Sequence, residues 1–167
     1  LEKKMEILDL NKINYNKITT FYRKNNYYFK YGKDKLKLKL QDICISNIES
    51  NKYTNKMHIK FRLDSEHIKE IIALEDHIYG TLNIKPKNYK SVLNGQILDS
   101  KIIERYKKFE IDIFDSDDNL MTINELSENE LVNAEFELRN IWKLNLTDEP
   151  KYGIIVIVSK IALRRNK

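Results

Sequence analysis

The hexapeptide KLKLKL at residues 35–40 constrains this chain more than any other segment. Leu36, Leu38 and Leu40 alternate strictly with Lys35, Lys37 and Lys39. Only a β-strand sends successive side chains to opposite faces, so the three leucines must share a core-facing stripe and the three lysines a solvent-facing one. The run continues to Ile43 and Ile45. Met57, Ile59, Phe61 and Leu63 alternate with Lys56, His58, Lys60 and Arg62 in the same way. Two long strands with one apolar and one cationic face are therefore expected early in the chain.

A helix follows. Asp64 or Ser65 supplies an N-cap, and Ile68, Ile71, Ile72, Ile78, Tyr79 and Leu82 recur at three- and four-residue spacing. Gly80 and Pro86 limit its extension. A short second helix is expected around Ser100 to Tyr106. Phe109, Ile111 and Ile113 then alternate with Glu110 and Asp112, and residues 115–119 (Asp-Ser-Asp-Asp-Asn) make a turn. Val132, Ala134, Phe136 and Leu138 define another strand whose phase slips near Asn140; a bulge there would re-aim Trp142. The final strand, Tyr152 to Leu163, is apolar on both faces up to Val158, which places it centrally. This order fits one domain over residues 1–167: a mainly β, curled antiparallel sheet or barrel of the OB type with one amphipathic helix plugging an end. A ferredoxin-like sandwich would need a second long helix.

The net charge of +5 is unevenly distributed. Residues 1–62 hold 15 Lys/Arg against 6 Asp/Glu, residues 63–150 hold 10 against 19, and residues 151–167 hold 5 against none. Basic ends around an acidic middle suit a polyanionic partner, although lysine-rich composition also follows from AT-rich coding. No apolar run approaches a membrane span, and no signal-peptide core follows Leu1, so neither membrane insertion nor secretion is expected.

Catalytic signatures are missing. There is no GxGxxG, P-loop or GxSxG, and the single Cys44 excludes an internal disulfide. His58, His67 and His77 do not have metal-ligand spacing. The 115–119 turn lacks the glycine and distal glutamate of a calcium loop. No enzyme activity, cofactor or metal is expected.

What remains is an interleaving of cations and aromatic rings. Residues 21–31 read FYRKNNYYFKY. Cations track the phosphates of a single strand while flat rings stack on its unpaired bases, at about 1–3 kcal/mol per base. Alternation puts Tyr27, Phe29 and Tyr31 on one side and Tyr28 and Lys30 on the other, so part of this run belongs to the core. A second cluster is Ile141-Trp142-Lys143 with Lys151-Tyr152-Gly153. Trp142 is either a stacking platform or a core residue.

The segment ELVNAEFELRNIWKLNLTDEPKYGIIVIVSKIAL (130–163) resembles the closing strands of OB-fold single-stranded DNA-binding proteins of large cytoplasmic DNA viruses and related linear cytoplasmic plasmids. Ile141-Trp142 and Tyr152-Gly153 match the aliphatic-Trp and aromatic-Gly pairs of that pattern. The resemblance implies coating of replication or recombination intermediates without catalysis, at a cytoplasmic replication site. The chain departs from many replication binders in ending Arg164-Arg165-Asn166-Lys167 rather than in an acidic tail.

The expected function is sequence-independent binding of single-stranded DNA, with RNA as the other nucleic acid to test. Lys30, Lys35, Lys37, Lys39, Lys60, Arg62, Arg139 and Lys143 are assigned to phosphates, and Tyr28, Tyr31, Trp142 and Tyr152 to stacking. Self-association and replication proteins are further partners. The alternative is a protein-interaction or structural subunit that docks through its acidic middle.

Overall fold

The computed structural model describes residues 7–50, 56–145 and 149–164. Residues 1–6 and the tail residues Arg165 to Lys167 therefore lie outside the described residues. The strands are β1 (Ile7–Asp9), β2 (Ile18–Arg23), β3 (Asn26–Tyr31), β4 (Leu36–Ser50) and β5 (Met57–Arg62). The one α-helix, α1 (Ser65–Thr81), follows. Then come β6 (Leu93–Asn94), β7 (Ile97–Lys101), β8 (Glu104–Arg105), β9 (Lys108–Phe109), β10 (Asp112–Phe114), β11 (Leu120–Met121), β12 (Leu131–Asn145) and β13 (Pro150–Leu163).

The alternation of residues 35–40 is realised in β4. Leu36, Leu38 and Leu40 are buried, and the three lysines lie on the opposite face. From β4 the sheet closes on itself. β4 pairs with β5 and β5 with β7, while β4 pairs on its other edge with β12 and β12 with β13. β7 then meets β13 in parallel at Lys101 and Ile157, which completes a five-stranded barrel. This is the OB-like architecture expected from the element order: mainly β, with one helix. Inside it Phe61 and Phe136 meet edge to face, with ring centroids 5.3 Å apart.

Asp64 caps α1, its Oδ1 accepting from the His67 N–H at 2.8 Å. Ile71, Leu74, Ile78 and Tyr79 are buried, while Ile72 points outward at 46% exposure. Ile71 and Leu74 share a small enclosed space of about 20 Å³ with Leu40, Leu98, Phe136 and Val156, so the helix plugs the barrel. Glu75 comes with it, only 4% exposed. Its carboxylate accepts from Ser91 Oγ at 2.5 Å and from the Val92 N–H at 3.0 Å. Burial nonetheless pushes its carboxyl above the ordinary carboxylate value.

Two expectations fail between residues 97 and 113. The segment Ser100 to Tyr106 is not helical. Ser100 belongs to β7 and is buried, its hydroxyl donating to the Ile59 carbonyl at 2.8 Å, and Tyr106 and Lys107 have φ of +51° and +64°, which a right-handed helix excludes. The open edge of β5 recruits 97–101 into the ladder, and that pairing outweighs local helical spacing. The run Phe109 to Ile113 is also not one strand. Phe109 pairs in β9 with Glu104, and Ile113 pairs in β10 with Ile161.

The slip near Asn140 is present, as a register shift between Arg139 and Ile141. The 115–119 turn is formed around Asp115, whose Oδ1 accepts from the N–H groups of Asp117 at 2.8 Å and Asn119 at 2.9 Å. Among the described residues no helix is long and apolar enough to cross a membrane.

Because the folded protein raises the Glu75 pKa, it holds that proton more tightly than the unfolded chain does. Glu75 therefore favours the folded state less as pH rises from about 4.5 through its raised value. In melts across that range, wild type should lose stability with rising pH relative to Glu75→Gln, which has no carboxyl to ionise.

Candidate nucleic-acid interface

β13 has an apolar outer face as well as an apolar inner one. Ile154, Val156 and Val158 point into the barrel, and period-two geometry sends Ile155 and Ile157 out. These two residues floor a surface groove of about 530 Å³. Its walls are Lys56 and Met57 at the start of β5, residues 101–104 and Lys107 beyond β7, and Arg139 on β12. Four cations thus converge on an apolar floor, with Glu104 the only carboxylate in the lining among the described residues.

Among the described residues no carboxylate lies within ion-pair distance of Lys56, Lys101 or Lys107. Lys101 is held below the usual lysine range, chiefly by burial and then by the charge of Lys56, while Asp99 acts the other way. Arg139 is partly committed, its Nη2 donating to Glu137 Oε2 at 3.3 Å, but its buried Nε has no partner. Such a set favours an anion with several oxygens, which would relieve the Lys56–Lys101 repulsion.

Trp142 lies on the same outer face of the sheet, next to the groove lining rather than in it. It pairs across the ladder with Gly153, and its indole lies so flat on that glycine that a Cβ there would collide with Cε2, Cζ2 and Nε1. Gly153 and Ile155 project to the same face, so the half-buried ring shares that face with the groove floor. The bulge at Asn140 turns Ile141 into the core and Trp142 onto the outer face, where the ring is half-buried. Gly153 serves as the seat of the ring.

The other residues expected at the site are more scattered. On the β2–β3 hairpin, Phe21 and Tyr28 stack on the outer face with centroids 5.3 Å apart, and Lys30 lies 5.8 Å from the Phe21 ring. The inner face packs against β12. There Phe29 is buried, and the edge of Tyr27 meets Tyr152 at 5.1 Å. Tyr152, expected to stack on bases, is in the core at 9% exposure. Its ladder partner Lys143 is exposed beside Tyr27. Tyr31, also expected to stack, is on the inner face; its hydroxyl accepts from the Asn14 N–H at 3.1 Å, and Lys17 lies 5.7 Å from its ring.

The lysine stripes are not the free cationic face that alternation suggested. Lys35 pairs with Glu137 at 3.5 Å, Lys39 with Asp9 at 3.8 Å, and Lys60 with Glu49 at 2.9 Å. Lys37 stands opposite Glu137 in the ladder, and Arg62 is exposed on β5. Glu135 and Glu137, part of the acidic middle, are thus engaged by neighbouring strands rather than offered as a docking surface. Sequence reading missed Lys56, Lys101 and Lys107 because they sit in separate segments that only barrel closure brings together. No group of three or more His, Cys, Asp or Glu side chains among the described residues is placed to hold a metal ion.

In comparisons with known proteins, no family model matches the chain, and no curated protein matches it in sequence. Solved structures do match in fold. The single-stranded DNA-binding protein of bacteriophage Enc34 aligns over 90% of this chain and 91% of its own, with a TM-score of 0.53 and 12% identity. Its C-terminal truncation gives a TM-score of 0.52, and its complex with single-stranded DNA gives 0.53; each covers 91% of this chain and 97% of the other, at 11% identity. At this identity the likeness is one of fold.

If the indole is seated on the glycine as described, Gly153→Ala should displace Trp142 while leaving the barrel folded. The expected result is a changed tryptophan emission with an unchanged far-ultraviolet circular dichroism spectrum. Emission identical to wild type would show that the ring is not seated there.

Proposed function

We propose that this chain, acting as a single OB-like domain, binds single-stranded DNA in the β13 groove without regard to sequence and without a catalytic step. The observation that carries the reading is the groove itself, in which Arg139 and the lysines Lys56, Lys101 and Lys107, unpaired among the described residues, line an apolar floor, with the Trp142 indole on the same outer face of the barrel. Lys56, Lys101, Lys107 and Arg139 hold phosphates, and Trp142 with Ile155 receives bases. Stacking and apolar contact use the flat faces of bases, which all four share, so such a site has little means of reading sequence. A duplex hides those faces, and its recognition calls for an element shaped to a groove.

The fold shared with a protein solved in complex with single-stranded DNA supports the same reading. The outward Phe21–Tyr28 pair with Lys30 offers a second stacking surface for a longer strand. Lys35, Lys37, Lys39, Lys60, Arg62 and Lys143 form a weaker electrostatic rim, since carboxylates neutralise several of them. Covering single strands exposed in replication or recombination is the role this binding fits. Kinship with large cytoplasmic DNA viruses or linear plasmids rests on the Ile141-Trp142 and Tyr152-Gly153 pattern alone.

Fluorescence anisotropy with oligo-dT, the matching RNA and a duplex tests the proposal. Oligo-dT should bind best and quench Trp142. Log affinity should fall with log salt by about 0.7 for each neutralised phosphate. Changing Lys101 and Arg139 together to Gln should flatten that slope by about 1.4, more than changing the rim residues Lys37, Lys60 and Arg62 to Ala. Weak and equal binding to all three ligands would reject the reading.

The state of Lys101 adds a pH signature. A bound phosphate favours its protonated form, so binding takes up a proton once free Lys101 begins to lose one. Affinity should therefore fall as pH rises through the lowered Lys101 range, and Lys101→Arg should be less affected because a guanidinium stays charged. Titrations from about pH 7 to 10 at constant ionic strength would measure this.

A further inference from the structure

Among the large apolar and aromatic side chains described, Tyr106 is the most exposed, at 97%, with Leu120 next at 74%. It occupies the two-residue turn of the β8–β9 hairpin together with Lys107, and both residues have positive φ, +51° and +64°. That combination belongs to a type I′ turn, in which Asn-Gly or Gly-Gly is favoured and a bulky side chain is strained. The hairpin would fold more easily with glycine in place of Tyr106. The ring makes no hydrogen bond or ring contact among the described residues, so nothing in the fold accounts for it.

The position of the hairpin does. Ile103, Glu104 and Lys107 are part of the groove wall, and Arg105, Lys107 and Lys108 surround the ring in sequence. β8 and β9 pair only with each other. The base of the hairpin is fastened by the Glu110 N–H donating to the Ile103 carbonyl at 2.7 Å and by the Arg105–Glu110 ion pair at 3.3 Å. An aromatic ring is thus held at the end of a short arm that starts from the cationic groove, with further cations to draw in a polyanion. Binding energy from a base would offset both the exposed apolar surface and the backbone strain, in keeping with strain stored at functional sites.

We infer that Tyr106 is a second stacking residue of the groove, taking a base of the single strand whose phosphates lie on Lys101 and Lys107. This rests on the groove reading, and the two are separable by experiment. Tyr106→Gly removes the ring and relieves the turn, so the variant should fold at least as well as wild type. It should bind oligo-dT on the order of tenfold more weakly, with the salt slope unchanged because no phosphate contact is lost. Tyr106→Trp should retain binding. On an oligomer of the same length made of abasic sites, Tyr106→Gly and wild type should bind alike.

Unchanged oligo-dT affinity in Tyr106→Gly would overturn the inference, and so would an equal loss on the abasic oligomer. In either case the groove reading stands if Lys101→Gln with Arg139→Gln still weakens binding. If that double change leaves affinity intact, the groove reading fails and the Tyr106 inference fails with it.

Discussion

The barrel depends on β13 being apolar on both faces. Its inner residues Ile154, Val156 and Val158 complete the core, and its edges pair with β12 along their length, with β10 near the end and with β7 at the point of closure. A central strand normally needs an apolar outer face only if something covers it. Here β10 and the short β8–β9 hairpin leave part of that face as an open trough, and Ile155 and Ile157 are its floor. The same residues that make the strand a good centre for the sheet thus make its exposed stretch a surface for flat, weakly hydrated partners.

Charge on this protein is organised by ladder register. Where β4 lies beside β12, Lys37 and Lys39 stand opposite Glu137 and Glu135, and Lys35 reaches Glu137 as well. Where β5 lies beside β4, Lys60 finds Glu49. Opposite charges directly across strands stabilise a sheet modestly and leave little net field. At the groove the register brings together Arg139, which is paired with Glu137, and Lys56, Lys101 and Lys107, which have no ion-pair partner among the described residues. The groove lysines thus stay unpaired, whereas Lys35, Lys39 and Lys60 of the stripes are each tied to a carboxylate.

Two small backbone features turn this trough into a candidate site. The bulge at Asn140 shifts the phase of β12, so Ile141 enters the core and Trp142 leaves it. Gly153, directly across, lacks the Cβ that would push the indole away. Either feature alone would fail: without the bulge the tryptophan would take the inward phase, and without the glycine its ring could not lie flat. The Ile-Trp and Tyr-Gly dipeptides of the sequence are the two halves of this arrangement, and Tyr152 serves in the core against Tyr27 while its neighbour Gly153 holds the ring.

The sequence alone determined the elements whose physics is local. Period two in residues 35–40 and 57–63 specified two strands and their inner faces, Asp64 specified the start of the helix, the parity change near Asn140 marked the bulge, and Asp115 marked the turn. The outward parity of Tyr28 and Lys30 was legible in the same way. Only the tertiary structure decided what depends on residues far apart in the chain. The strand at 97–101 exists because β5 had an edge to pair, against its own helical spacing. Tyr31 and Tyr152 were taken inward because the hairpin packs on β12, and Lys35, Lys39 and Lys60 of the stripes were paired by carboxylates on neighbouring strands, Glu137, Asp9 and Glu49. The groove cations lie on three separate stretches of chain, each unremarkable alone. Local periodicity fixes which way a side chain points, but the neighbours it meets are set by strand pairing, which no single segment encodes.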